Sequence, residues 1–108
     1  MRRGDIVTVS APGDYGKPRP AVVIQGDALN REARSTIVAL MTSHLQDAPL
    51  LRLTVTPEKT NGLKVRCQVQ VNRLLSLPSD MVGSPIGRLS DREMVELNRL
   101  LAVIIGLA

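Results

Sequence analysis

At 108 residues the chain is long enough for one domain, spanning 1–108, with one modest core, and its 44% hydrophobic content marks it as globular rather than disordered. The net charge of +4 favours an anionic partner (a nucleic acid, an acidic protein or a membrane surface), although small soluble domains are often basic for no special reason. One cysteine, Cys67, excludes an internal disulfide and a cysteine-rich zinc site, and one histidine, His44, excludes a multi-histidine metal site. No metal or cofactor is expected, and a reducing cytoplasm is the expected compartment. The opening "MRRGDIVTVS" is basic without an apolar run, so no signal peptide is expected there. "LLAVIIGLA" is too short to span a bilayer, which takes about 20 apolar residues. With Tyr15 as its one aromatic residue, the chain is poorly suited to stacking bases on an aromatic platform.

In chain order, "DIVTVS" alternates in β-branched residues and reads as a strand. "APGDYGKPRP" is too rich in glycine and proline for regular structure. "AVVIQ" and "STIVALMT" are short apolar runs that suit strands buried on both faces, and "LLRLTVT" alternates like a half-exposed strand. "PEKTNG" is a turn with Asn61-Gly62 as its sharpest signal. "LKVRCQVQVNRLL" is the longest alternating run: Val65, Cys67, Val69 and Val71 point one way, and Arg66, Gln68, Gln70 and Asn72 the other. "PSDMVGSPIGR" is a long surface connection. "LSDREMVELNRLLAVIIGLA" is the best helix, with Ser90 and Glu93 as a capping box, a stripe through Met94, Leu97, Leu101 and Ile104, and Gly106 as its stop. About five strands followed by a helix predict a small twisted sheet or open barrel packed on that helix.

These residues resemble a family. "RGDIV", "KPRPAVVIQ", "VALMTS", "GLKVRCQVQVNRL" and "IGRLSDREMVELNRLLAVIIGLA" follow one another as in the MazF/PemK-type toxins of bacterial toxin–antitoxin pairs, over nearly the whole chain. The resemblance implies a mainly β (α+β) fold: an SH3-like open barrel of about five to seven strands with a C-terminal helix. It also implies a homodimer with metal-independent, sequence-selective endoribonuclease activity on single-stranded mRNA. The partner would be an antitoxin with an acidic, disordered tail, and DNA would be met only through the antitoxin complex. The superfamily also resembles CcdB, which poisons DNA gyrase without being a nuclease, so a gyrase-binding toxin and a catalytically inactive relative are the alternatives.

Metal-free RNA cleavage needs a fixed cation and donors to meet charge on the phosphoryl oxygens, a group to take the 2′-OH proton, and a group to protonate the leaving oxygen. Arg19, held between Pro18 and Pro20, has a fork that matches phosphate geometry; by itself it could equally be a strand-end arginine packing its stem. The resemblance makes it catalytic. Thr42 and Ser43 close an apolar strand; they can cap a turn, or donate to a phosphate as the resemblance implies for the threonine. Arg66 matches an arginine of the PemK/Kid-type pattern. The aspartate that follows two places later in that pattern is Gln68 here, and a second alignment puts Asn72 there; neither amide can take a proton. His44 is the side chain whose type suits acid–base work near neutrality, or it is simply an exposed loop histidine. Tyr15, Lys17, Ser43, Gln68 and Gln70 are the expected RNA contacts, with Asp14 a second-rank acid–base candidate.

Overall fold

The computed structural model describes residues 1–10 and 17–108. Six strands run β1 (Asp5–Val9), β2 (Arg19–Val23), β3 (Ser35–Thr42), β4 (Arg52–Val55), β5 (Cys67–Pro78) and β6 (Gly87–Arg88). They form one antiparallel sheet in the order β4-β5-β3-β2-β1-β6. A short helix α1 (Asp27–Asn30) follows β2, a 3-10 turn spans Ser79–Met81, and the C-terminal helix α2 covers Asp91–Ile104. The sheet curls into a half-barrel, so the mainly β, open-barrel expectation with a terminal helix holds.

The apolar runs of β1 to β3 are explained by two cores. Alternate side chains leave a strand on opposite sides. Ile6, Val22, Ala39 and Met41 join Leu97, Leu100 and Leu101 of α2 on one side, while Val7, Ala21, Val23, Val38 and Leu40 pack with Leu77 on the other. A strand covered on both faces needs apolar residues at every position.

Helix α2 starts where its capping box predicts. The Ser90 side chain accepts from the Glu93 amide at 3.1 Å, and the Glu93 carboxylate accepts from the Ser90 amide at 2.9 Å. Its fully buried positions are Leu97, Leu100 and Leu101, with Met94 and Ile104 half-buried beside them. The stop is a two-bond cap: the Gly106 amide donates to Val103 O at 3.2 Å and the Leu107 amide to Ala102 O at 2.7 Å. That cap needs φ of +80° at Gly106, which glycine adopts without a Cβ clash.

Four local expectations change, the first being that the segment "PSDMVGSPIGR", expected as a surface connection, carries the end of β5 at Pro78, the 3-10 turn Ser79–Met81 and strand β6. The strand expected from Leu63 begins only at Cys67, leaving Val65 57% exposed and Arg66 exposed before it. Asn61-Gly62 does not close a tight hairpin. Asn61 is buried instead and knits the β4–β5 connection by accepting from the Glu58 and Leu63 amides, each at 3.0 Å, while donating to Thr56 O at 2.8 Å. The alternation of β5 also does not separate a dry from a wet face. Gln68 and Gln70 are buried at 6% and 7% exposure, Gln68 against the Gln46 backbone of the β3–β4 connection that it hydrogen-bonds.

Candidate functional site

The site is built on a row of residues crossing four strands. Thr54 pairs with Gln68, and Gln68 with Thr42. The β2–β3 register pairs Ala21 with Leu40, so two residues further on Arg19 lies across from Thr42. Directly paired residues share a face. Thr54, Gln68, Thr42 and Arg19 therefore sit on the same side, the one that carries Leu40 rather than α2.

An irregularity in β5 shapes the end of this row. Ala39 pairs with Leu74 but Met41 with Val69, so the single residue Leu40 faces the four residues Gln70 to Arg73. Such a bulge bends the strand and re-aims its side chains. The result is a small cleft of roughly 110 Å³ lined by Arg19, Leu40, Met41, Thr42, Gln70 and Arg73. Arg73 Nη1 reaches Gln70 Oε1 at 3.5 Å, a long contact that leaves most of its guanidinium donors for other partners.

Of the residues singled out from sequence, Arg19, Thr42 and Gln70 meet in this cleft. Arg66 lies outside it, on the exposed approach to β5. Lys17 is exposed two residues before Arg19, and Ser43 and His44 are exposed just beyond Thr42. The His44 backbone is tied in place: its amide donates to Thr42 Oγ1 at 3.1 Å, and its carbonyl accepts from Arg52 Nη1 at 2.9 Å. Tyr15 and Asp14 lie outside the described residues.

Gln68 departs from its expected part. Its buried amide is fully engaged by the protein. Oε1 accepts from the Gln46 amide and from Arg52 Nη1, both at 3.0 Å, and Nε2 donates to Gln46 O at 3.0 Å and Thr54 Oγ1 at 3.2 Å. Nothing of that amide is left to read a base edge. Cys67, next to it, is buried, and burial pushes its thiol above the ordinary range, so it is a core residue and not a nucleophile.

Two arginines escaped the sequence reading. Arg73 has a signal in retrospect: the apolar alternation through Cys67, Val69 and Val71 breaks at Arg73 and resumes out of phase at Leu74, which is the bulge. Arg52 has none, since a strand arginine opposite a glutamine is ordinary.

Comparison with known proteins places the chain in a family. The family model described as PemK-like, MazF-like toxin of type II toxin-antitoxin system matches residues 2–105. The chain is 39% identical to a probable endoribonuclease MazF of Mycolicibacterium smegmatis, over 100% of this chain and 99% of that protein. It is 30% identical to endoribonuclease MazF9 of Mycobacterium tuberculosis, over 99% and 98% of the two chains. Its fold matches a mycobacterial endoribonuclease solved in complex with its cognate antitoxin, with a TM-score of 0.85 at 18% identity over 100% of this chain and 97% of that one. It also matches a MazE–MazF structure from Deinococcus radiodurans, with a TM-score of 0.77 at 19% identity over 100% and 97%. With its sequence matched from residue 2 to residue 105, the chain belongs to the PemK-like, MazF-like toxin family of type II toxin–antitoxin systems.

Proposed function

We propose that this chain is the toxin of a type II toxin–antitoxin pair and cleaves single-stranded mRNA at selected sequences without a metal. The observation that carries the reading is the convergence of Arg19, Thr42 and Arg73 on one cleft, from three different strands. A ribose 2′-OH attacks the adjacent phosphorus, and the bond to the 5′ oxygen of the next nucleotide breaks. A 2′,3′-cyclic phosphate and a 5′-OH end result. Charge builds on the non-bridging oxygens between those two events. The Arg19 fork meets two of those oxygens, Thr42 Oγ1 donates to one, and Arg73 supplies a second cation.

Proton transfer falls to another group. Gln68 and Asn72 carry amides, which do not take protons, and Gln68 is committed besides. Imidazole is the side chain suited to exchange near neutrality, and the exposed His44 beside Thr42 is the proposed base that takes the 2′-OH proton, while solvent water protonates the departing 5′ oxygen. Lys17 and Arg66, both exposed, extend the positive surface along which the RNA backbone would run.

The protein is proposed to work as a homodimer. An apolar groove by the end of α2, lined by Ile24, Ile37, Leu74, Leu101, Ile105 and Leu107, supports a second copy there. The mycobacterial and Deinococcus relatives solved with antitoxins support a partner of the same kind, whose acidic, disordered tail would occupy the phosphate sites.

The test is incubation of the purified protein with a long RNA in EDTA, with mapping of the fragment ends. Discrete cuts with 5′-OH ends, lost in Arg19→Ala, are expected. Intact RNA would overturn the nuclease reading and leave an inactive relative, the alternative favoured by the amides at positions 68 and 72.

A further inference from the structure

The segment joining β3 to β4 carries Thr42 at one end and has little of its own to hold it, being exposed at Ser43, His44, Leu45, Gln46 and Asp47. It is nevertheless clamped. Gln68, projecting from the middle of the sheet, meets both the amide and the carbonyl of Gln46 at 3.0 Å. This is the two-bond exchange that a neighbouring strand would make, performed by a side chain. Arg52 adds three contacts, to Gln68 Oε1 at 3.0 Å, His44 O at 2.9 Å and Gln46 Oε1 at 3.2 Å. The clamp ends at the cleft, because the His44 amide so positioned donates to Thr42 Oγ1 at 3.1 Å.

A hydroxyl has one hydrogen to donate and two lone pairs. With one lone pair taken by the His44 amide, the Thr42 hydroxyl keeps its hydrogen for a partner, and Thr42 lines the cleft. We propose that Gln68 and Arg52 are positioning residues: they hold the His44–Gln46 backbone so that Thr42 Oγ1 presents its hydrogen to the scissile phosphate. The proposal rests on the nuclease reading above. It assigns position 68 a mechanical task in place of a chemical one. Preorganised donors cost no reorganisation as charge develops, and misplacement of a donor by about 1 Å costs up to about 10²-fold in rate.

The experiment is a double-mutant cycle on single-turnover RNA cleavage, using Gln68→Met, Thr42→Val and the pair, with Arg52→Met as a second way to open the clamp. Each single variant is expected to lower kcat by about 10- to 10²-fold with KM changed much less. In the Thr42→Val background, Gln68→Met should add little, because both remove the same donor. Amide exchange at His44 and Gln46 should speed up in Gln68→Met and Arg52→Met while the global unfolding midpoint moves little. Additive losses, or wild-type kcat in Gln68→Met with faster exchange, would overturn the proposal. Gln68→Glu is the further discriminator. It supplies a carboxylate that can take a proton but cannot donate to Gln46 O or Thr54, so a fall in kcat supports the clamp and a rise overturns it. No cleavage by the unaltered protein would overturn the nuclease reading, and this proposal with it. Cleavage that is indifferent to Gln68 and Arg52 would overturn the proposal alone.

Discussion

Asp5 and Arg88, 83 residues apart in the chain, are paired in register and joined by a 2.8 Å salt bridge between Oδ1 and Nη1. The other carboxylate oxygen of Asp5 accepts from the Arg2 amide at 2.8 Å. The Gly4-Asp5 opening and the Gly87-Arg88 close of the sequence are thus two halves of one contact, which holds the two-residue strand β6 against β1 just before α2 begins. Asp5 is 7% exposed, and removing its carboxylate takes a partner from the Arg2 amide and from the Arg88 guanidinium, which is 38% exposed and also donates to Arg3 O at 3.4 Å. Asp5→Ala is expected to destabilise the fold by about 0.5–1.5 kcal/mol in chemical denaturation, the net scale for hydrogen bonds whose partners solvent can reach. Arg88→Ala should be largely non-additive with it, since both delete the same bond.

Arg19→Ala should lower cleavage by roughly 10²–10³-fold, the scale for removing one preorganised donor to a developing oxyanion. Its side chain is exposed at the start of β2, so far-UV circular dichroism and the unfolding midpoint should stay close to wild type. Arg19→Lys should not restore the rate, because a point charge does not reproduce the fork. Full activity in the alanine variant would remove Arg19 from the mechanism.

Arg73 carries its own test because it enters the cleft only through the bulge. Arg73→Ala should weaken binding of a 2′-deoxy, uncleavable oligonucleotide and reduce the slope of log affinity against log salt by about 0.7, one single-strand phosphate contact. An unchanged slope would show that Arg73 faces solvent and not RNA.

Cys67 should resist alkylation. It is 4% exposed, and burial raises its thiol pKa, so at a given pH less of it is thiolate than for an open cysteine. Maleimide labelling at pH 7 should be slow in the folded protein and fast in denaturant. Prompt labelling under native conditions would mean that the β4–β5 connection opens readily.

The apolar groove by the end of α2 should govern assembly. Ile105 is 56% exposed and lines it. Ile105→Asp is expected to shift the light-scattering mass from two chains to one, with the half-barrel intact by circular dichroism. A monomeric wild-type protein at micromolar concentration would rule out a dimer face there.

Strands β1 to β5, the capped helix and the arginine at the mouth of β2 were legible in the sequence because each rests on short-range rules, whereas β6, inside the segment read as a connection, was not. Period-two apolar runs, a serine with a glutamate three residues on, and proline on both sides of Arg19 are each contained within a few consecutive residues. What lay outside the sequence depended on contacts between elements. Gln68 looked like a wet-face residue, but it is buried with its amide bonded to the backbone of Gln46, 22 residues away. Arg66 stands on the polar phase of the alternating run and Arg73 interrupts its apolar phase, a difference that acquires meaning only with the strand register. The late start of β5 at Cys67 leaves the first outside the cleft, and the four-against-one bulge carries the second into it. Periodicity tells a residue which face of its own strand it occupies. Register between strands, which no local pattern encodes, decides what that face meets.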